Sequence, residues 1–369
     1  MYKFLTILLV IALVVACTPP ATPTAPNVTP RPSATLERPP TRTPITNGGT
    51  PIPPASVSGK FTYAPGDGSI WVQDAATGQA QPVVTPSPDV FADAPQFSPD
   101  GNHIAYTQST LTSQGVAQTS IHVIDTDGTN DRALANPPDL KTSLNWPAWS
   151  PDGKSVYYTL AYPVPPNKQH SEIDRVSVGG GAAQTVINDA RSAVVSQDGK
   201  RVSFLRFNFD TFTAGLWIAD ADGKNPKLLV AEDVFALIAA PHFSPDGQWI
   251  LFAASGPPSK QLPALLVPIS PCTPTILCAL VQRLLAALAA PAYADGLPWD
   301  LWLVSVDGAH YKQLTNVGAD SPWPTWSRDG KHVTFFDTSG IYLVDVDKRS
   351  ISRISRNGGH GVFDWWTGP

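Results

Sequence analysis

The sequence predicts an all-β fold, a six-bladed β-propeller in which each blade has four strands. Two observations lead to this prediction: the string Ser-Pro-Asp-Gly and its variants recur along the chain, and a second short apolar run follows each copy. The composition agrees, because 39 prolines and 27 glycines disfavour long helices. The hydrophobic content of 42% is too high for a chain that is disordered throughout.

The chain begins with a segment that is typical of an export signal. Lys3 precedes an apolar run over residues 4–16, which is followed by Cys17. As a helix this run is about 20 Å long, shorter than a hydrocarbon core of about 30 Å. Residues 13–17 resemble the bacterial lipobox, which implies that residues 1–17 are a signal peptide with a lipidated Cys17. The protein is therefore expected outside the cytoplasm, anchored by this lipid to the outer face of the cytoplasmic membrane or to an outer membrane.

Residues 18–58 are predicted to be a disordered stalk rich in proline and threonine. They contain twelve prolines and no Phe, Trp or Tyr, so they lack the side chains that build a core. Proline-rich chain favours extended polyproline II, so the stalk holds residues 59–369 away from the membrane. Those residues are predicted to form the propeller, with an insertion at 255–299.

Five copies of one motif mark the first strand of a blade and the turn that follows it. Asp-Gly between two apolar runs is a strong hairpin signal, because both residues tolerate the positive φ of a tight turn. Gln197 and Arg328 replace the proline in two copies, but both copies keep Asp-Gly. The copies occupy residues 95–101, 147–153, 193–199, 241–247 and 324–330.

A second motif marks the third strand of each blade and occurs six times. The chain ends explain why only five first-strand motifs are seen: residues 364–368 align with that motif, and blade one begins at its second strand, residues 60–63. The C-terminal strand is therefore predicted to close the ring by pairing into blade one. The third-strand motifs occupy residues 70–72, 121–123, 173–175, 216–218, 301–303 and 341–343.

The recurring Ser-Pro-Asp-Gly string resembles the TolB-like family of propeller repeats (PD40, WD40-like), and the resemblance covers essentially all of residues 59–369. It implies a scaffold of the cell envelope that binds proteins or other ligands. The same repeats occur in the propellers of some peptidases and in oligogalacturonate lyases. We therefore expect a non-catalytic lipoprotein that binds a protein or peptide, with a carbohydrate-binding or lyase-like envelope propeller as the alternative.

Catalytic residues, cofactors and metals are not expected. The sequence has no Gly-x-Ser-x-Gly, His-Glu-x-x-His, phosphate-binding loop or Gly-x-Gly-x-x-Gly string, so an enzyme is not predicted. The Asp-rich turns at 125–128 and 220–223 suit calcium, but hairpin chemistry explains them better. His242 alone lies next to the predicted channel, and one imidazole does not make a metal site. The net charge of −5 excludes nucleic acid as a partner.

The loop-rich face of the ring is the predicted binding surface. In a propeller the turns between strands one and two and between strands three and four share one face, and the other connections share the opposite face. Extra chain length at 108–120, 161–171 and 206–214 falls on that opposite face, and binding is generally built on such loops. The binding candidates there are Tyr162, Arg191, Phe207, Phe209 and Phe212.

Four tryptophans are expected near the channel mouth on the same face. Clustered exposed aromatics are common hot spots of recognition, so these rings would contact a protein or stack on sugar rings. The alternative is that they only plug the channel mouth. The four are Trp146, Trp299, Trp323 and Trp365.

The insertion in blade five is predicted to be partly helical. Thr273 as a cap with Pro274 in the first turn starts a helix that runs to Ala290. This helix either packs on the propeller rim or offers an apolar contact to a partner or the membrane surface. Cys272 and Cys278 lie in the insertion, and an exported protein favours a disulfide between them.

Overall fold

The structure is a computed structural model that describes residues 35–36, 57–113, 116–165, 168–256, 298–358 and 361–368. These residues belong to one compact unit, residues 34–369. They form a six-bladed β-propeller, a ring of six sheets in which the strands of each blade are antiparallel neighbours. The all-β prediction and the blade count are confirmed.

Twenty-five strands are described, and no helix is present among these residues. In chain order the strands are β1 (Thr35–Leu36), β2 (Lys60–Tyr63), β3 (Ile70–Asp74), β4 (Ala80–Val84), β5 (Val90–Phe97), β6 (His103–Leu111), β7 (Ala117–Asp125), β8 (Arg132–Ala135), β9 (Ser143–Trp149), β10 (Ser155–Val164), β11 (Lys168–Ser177), β12 (Gln184–Asn188), β13 (Arg191–Val195), β14 (Arg201–Asn208), β15 (Thr213–Asp220), β16 (Lys227–Val230), β17 (Leu237–Phe243), β18 (Trp249–Ser255), β19 (Trp299–Ser305), β20 (His310–Gln313), β21 (Trp323–Trp326), β22 (His332–Asp337), β23 (Gly340–Asp345), β24 (Ile351–Ser355) and β25 (Phe363–Trp366).

The last strand of the chain closes the ring. From the channel outward, blade one is β25, β2, β3 and β4, and blades two to six are built from successive groups of four strands that begin with β5, β9, β13, β17 and β21. Lys60 pairs with Trp366 and Tyr63 with Phe363, so the first and last strands of the propeller form one antiparallel ladder. The six innermost strands contact one another in a complete circle. The predicted C-terminal closure is confirmed.

The core consists of six apolar clusters, one between each pair of neighbouring blades. Side chains alternate between the two faces of a strand, so one strand serves two clusters. In β18, Ile250 and Phe252 pack toward blade four, whereas Leu251 between them packs toward blade six. Both faces of a blade are buried, which explains why the second strands are continuous apolar runs.

The serine side chain fixes the geometry that the Ser-x-Asp-Gly turns share. In blade four the buried Ser196 hydroxyl donates to Asp198 Oδ1 at 2.6 Å and accepts from the Arg201 amide at 2.9 Å. The Gly199 amide donates to the Ser196 carbonyl at 2.8 Å, and Gly199 has φ of 71°. The proline position takes no part in these bonds, so Gln197 replaces it without loss of the turn. Serines at the same position in blades two, three, five and six make the same bond to their own aspartates. They are Ser98, Ser150, Ser244 and Ser327.

The two kinds of turn lie side by side on one face of the ring, which we call the turn face. In blade four the Ala221 amide, in the turn between strands three and four, donates to the Lys200 carbonyl in the turn between strands one and two, at 2.9 Å. The opposite face, which carries the connections between strands two and three and between blades, is called the loop face. The same bond between turns is made by the pairs Thr126 and Asn102, Val178 and Lys154, Val306 and Gln248, and Val346 and Lys331.

A two-residue strand lies within the segment predicted to be a disordered stalk. Strand β1 pairs in parallel with β20, with Thr35 opposite His310 and Leu36 opposite Tyr311, and adds a fifth strand to blade five. The predicted helix from Pro274 to Ala290 and the cysteine pair lie outside the described residues. Across the described ranges, no helix is long and apolar enough to span a membrane.

Replacing Ser196 by alanine is expected to lower the free energy of unfolding by about 1–3 kcal/mol, because the Arg201 amide and the Asp198 carboxylate both lose the hydroxyl. Urea denaturation of the full chain measures the change. Lys200→Ala is the control, since this exposed side chain lies in the same turn and its loss should change the free energy by less than about 0.5 kcal/mol. Equal losses in the two variants would contradict the role of the serine.

Candidate functional site on the loop face

Exposed large apolar side chains are concentrated on the loop face. Seven such residues are exposed among the described residues, and each lies at a hairpin tip, a blade-to-blade connection or the loop end of an inner strand on this face. Blades two, three and four contribute neighbouring hairpin tips. The turn face has none of the seven. They are Phe91, Leu111, Val116, Leu140, Tyr162, Val164 and Phe212.

Four of the predicted binding residues form one cluster in blade four. The Arg191 guanidinium lies over the Phe207 ring at 4.8 Å and over the Phe209 ring at 5.3 Å. The two rings meet edge to face with centroids 4.8 Å apart, and Phe212 packs edge-on against Phe207 at 6.3 Å. We call Arg191, Phe207, Phe209 and Phe212 the arginine–aromatic cluster.

Blade three supports this cluster from the side. Arg191 Nη2 donates to Gln169 Oε1 at 3.4 Å, and Lys168 Nζ lies 3.5 Å from Asp210 Oδ2. Tyr162, the fifth candidate, is part of the same blade-three hairpin and packs on the His170 ring at 4.9 Å. The hairpins β10–β11 and β14–β15 are therefore linked by contacts at their tips.

Phe212 is held in an unusual backbone conformation. Its φ is 57°, in the left-handed region that bulky residues rarely adopt, and its side chain is 69% exposed. The loop around it is ordered, because Asn208 Oδ1 accepts hydrogen bonds from the amides of Asp210 and Thr211 at 2.9 and 3.3 Å. Strained residues that persist in an ordered loop are common at functional sites.

Trp146 and Trp323 lie at the narrow end of the channel. Both are half-buried and line a cavity of about 30 Å³ at the loop-face end, together with Pro147 and Pro241. Trp146 has φ of 52° at a bulge of β9, where the ladder to β10 shifts register. This placement fits the alternative in which the two rings plug the channel.

Trp299 and Trp365 do not join the arginine–aromatic cluster. Trp365 was expected at the loop-face mouth, but it is buried between blades one and six, where its ring lies 5.8 Å from Phe61 and its Nε1 donates to the Ser58 carbonyl at 3.0 Å. The cause is its register in β25, which places it opposite Phe61. Trp299 is half-buried at the start of β19 and packs on the cluster between blades five and six.

The channel is wide at the turn face, where a cavity of about 520 Å³ opens. Its wall contains the rings of Trp149 and Trp366, whose indole N–H groups donate to backbone carbonyls at 3.1 and 3.2 Å. His242 lies deep in the channel, and burial lowers its pKa to about 4, so the imidazole is neutral at pH 7. Among the described residues, no other histidine lines this cavity.

Asp364 is a site residue that sequence reasoning missed. It lies in β25 of blade one and accepts hydrogen bonds from the Phe97 amide of blade two at 2.9 Å and from Thr325 Oγ1 of blade six at 3.2 Å. Burial in the channel raises the pKa of this carboxyl, although these hydrogen bonds act in the opposite direction. The available signal was that Asp364 occupies the motif position where four other first strands have proline.

Metal ligation finds no support in the described ranges, which contain no group of three or more His, Cys, Asp and Glu side chains that could hold an ion. The aspartates of the turns bind their own hairpins instead. Asp127 Oδ1, for example, accepts from the Thr129 amide and hydroxyl at 2.9 and 2.6 Å. The hairpin interpretation of these residues accounts for their contacts.

A family model described as the TolB beta propeller domain matches residues 58–265. TolB from Acinetobacter baumannii is similar in structure, with a TM-score of 0.57 at 18% identity over 83% of this chain and 66% of that one. A chain of a nidogen–laminin complex has a TM-score of 0.54 at 13% identity over 81% of this chain and 96% of that one. At these identities the two structures are alike in fold.

A curated relative from Bacillus subtilis (strain 168) is described as the uncharacterized peptidase YuxL. It is 25% identical over 187 residues, which are 51% of this chain and 25% of the relative. The chain therefore spans a quarter of the length of the curated relative that it matches. The expectation that the protein is not an enzyme is contradicted by this match, because a missing nucleophile motif does not separate binding propellers from those of peptidases.

Asp364 is expected to contribute less to the stability of the fold as the pH rises. Its folded-state pKa lies above the unfolded-state value, so its contribution is fully present below the ordinary carboxyl pKa and is lost as pH rises through the raised pKa. The difference in thermal midpoint between wild type and Asp364→Asn should therefore become less favourable to wild type as the pH rises from 4 to 7.

Asp127→Asn is the control for the sign of this effect. Hydrogen bonds from Thr129 lower the pKa of Asp127, so its contribution is present above the ordinary carboxyl pKa and is lost as pH falls. Thermal unfolding of the three proteins from about pH 2 to pH 7 compares them, because the contribution of Asp127 is lost only below the ordinary carboxyl pKa. The same pH trend for both substitutions would reject the assignment to Asp364.

Proposed function

Because the chain belongs to the TolB β-propeller domain family, we propose that it is a protein- or peptide-binding propeller whose binding surface is the loop face. The observation that carries the proposal is the concentration of all seven exposed large apolar side chains of the described residues on that face. Exposed apolar patches on a folded protein mark interaction sites, since water contact makes them unfavourable otherwise.

The surface has the composition of a recognition site. Aromatic and arginine side chains dominate the hot spots of protein interfaces, and the arginine–aromatic cluster supplies three Phe rings and one Arg. The rigid blades below it leave little loop ordering to be done on binding, which favours affinity. Leu111, Val116 and Val164 extend the apolar surface across blades two and three.

A peptide is favoured over a glycan as the ligand. The curated relative is described as a peptidase, so a related propeller occurs in a protein whose substrates are peptides. Trp146 and Trp323, the rings that would stack on sugars, are half-buried at the narrow end of the channel. A carbohydrate ligand is therefore the second outcome that the experiments below must separate.

The described part of blade one begins on the side opposite to the loop face. The chain enters blade one at Lys60, on the turn face. Just before it, Val57 and Ser58 line a cavity together with Arg328 and Asp329. We propose that residues 18–58 tether the propeller to a lipid on Cys17 at an extracytoplasmic membrane surface. The partner would then approach from the side that is opposite to the tether.

Benzoylphenylalanine placed at Val164 or Leu111 is expected to give discrete protein adducts on illumination of cells that produce the full chain. Both side chains are exposed and apolar on the loop face, so the probe sits within the proposed interface. Denaturing gels and mass spectrometry of the tagged protein detect the adducts.

The matched control is the same probe at Lys224, whose side chain is 77% exposed on the turn face. Position 224 should give no adduct of its own. Adducts that are equally abundant at 224, or that are absent at 164 and 111, would reject the loop face as a protein-binding surface. If the protein then bound a glycan saturably, carbohydrate binding would replace protein binding as the proposed function.

Replacing Cys17 by serine is expected to remove the lipid and release the protein from the membrane fraction, because a hydroxyl is a far weaker nucleophile than a thiolate. Incorporation of a labelled fatty acid followed by cell fractionation measures both effects. Cys272→Ser serves as the control and should keep label and membrane association. Retention of the label in the Cys17 variant would contradict the proposed anchor.

A further inference from the structure

Arg191 is held in a fixed orientation by the two rings that it stacks on. Its guanidinium carbon lies 4.8 Å from the centroid of Phe207 and 5.3 Å from that of Phe209. The two ring planes are inclined at 66° to each other, so the guanidinium contacts two rings of different orientation. A guanidinium held in this way loses little freedom when a further partner binds.

Among the described residues, the guanidinium of Arg191 has no carboxylate oxygen within 4 Å. Its one hydrogen bond to a side chain of this part of the chain goes to the neutral amide of Gln169. Its Nε is buried and makes no hydrogen bond. Residues 166 and 167, which belong to the same hairpin, are Pro and Asn and bring no carboxylate. Arg191 is half-buried and its Nη2 bond to Gln169 is exposed, so the charged end of the side chain is accessible on the loop face.

The acidic groups described near Arg191 form no ion pair with it. Asp210 is occupied by Lys168 at 3.5 Å, and Asp189 acts on Arg191 only at a distance. The site therefore combines a guanidinium that has no ion-pair partner among the described residues with the exposed ring of Phe212, whose backbone has a positive φ.

We infer that Arg191 binds a carboxylate of the peptide or protein partner, and that Phe212 contacts an apolar side chain next to this carboxylate. The guanidinium fork matches the two oxygens of a carboxylate, and such charged pairs are stronger than neutral hydrogen bonds. The ligand class is a peptide that presents an acidic side chain beside an aromatic or aliphatic one. This inference rests on the proposed function of the loop face.

Two probes separate the charge of the ligand from its shape. N-acetyl-Phe-Glu-amide carries the carboxylate, and N-acetyl-Phe-Gln-amide has the same length with a neutral amide. Titration of each into the full chain, followed by NMR of the phenylalanine ring protons, gives the affinities. We expect the Glu probe to bind about tenfold more tightly or better, which is about 1.4 kcal/mol.

Variants of two arginines assign the preference to one residue. Arg191→Gln should abolish the preference for Glu, and Arg191→Lys should keep part of it, because the charge remains but the fork is lost. Arg206→Gln is the matched control: Arg206 stacks on Trp217 at 4.5 Å in the same blade and also has a buried Nε without a hydrogen bond. This control should keep the full preference.

The outcomes distinguish this inference from the proposed function. Equal affinity of the two probes, no saturation by either up to about 20 mM, or an unchanged preference in Arg191→Gln would overturn the carboxylate site. If the adducts at positions 164 and 111 persist in that case, the loop face still binds a protein. If those adducts are absent as well, both the carboxylate site and the proposed function of the loop face are rejected.

Discussion

The pairing of β25 with β2 is the interaction on which the rest of the structure depends. Each blade has two apolar faces, and the six core clusters lie between neighbouring blades, so every blade needs a neighbour on both sides. Without β25, blade one would lose its inner strand and its contacts to blades two and six. Asp364 links this closure to both neighbouring blades, because its carboxyl group accepts from Phe97 on one side and from Thr325 on the other.

Closure of the ring fixes the side on which each connection emerges. The serine-bound turns are tied to their neighbouring turns on the turn face, so the longer hairpins are confined to the loop face. There the hairpin tips of blades three and four meet through Lys168 and Asp210, and these tips carry Val164 and Phe212. A binding surface made from adjacent blades therefore follows from the ring itself, and its residues need little ordering when a partner arrives.

The fold was predictable because its signals are local, whereas the site was predictable only in part. The bonds of Ser196 span five residues, so blades two to six each show them as a short motif in the sequence. Loop position was enough to put Arg191, Phe207 and Phe212 on one face, but the stacking between them depends on how two blades pack. The burial of Trp365 depends on its pairing with Phe61 in the neighbouring strand. Asp364 bonds to two residues that are 267 and 39 positions away in the sequence. Such contacts have no local pattern.

Native-state hydrogen exchange of the full chain tests most directly whether closure by β25 holds the ring together. The account predicts that the amides of β2 and β25 exchange only through global unfolding, with the same free energy as those of the inner strands β9 and β13. Exchange of β2 and β25 at a clearly lower free energy, while β9 and β13 stay protected, would contradict it. The ring would then open at this seam without unfolding, and the loop face would not be a fixed surface.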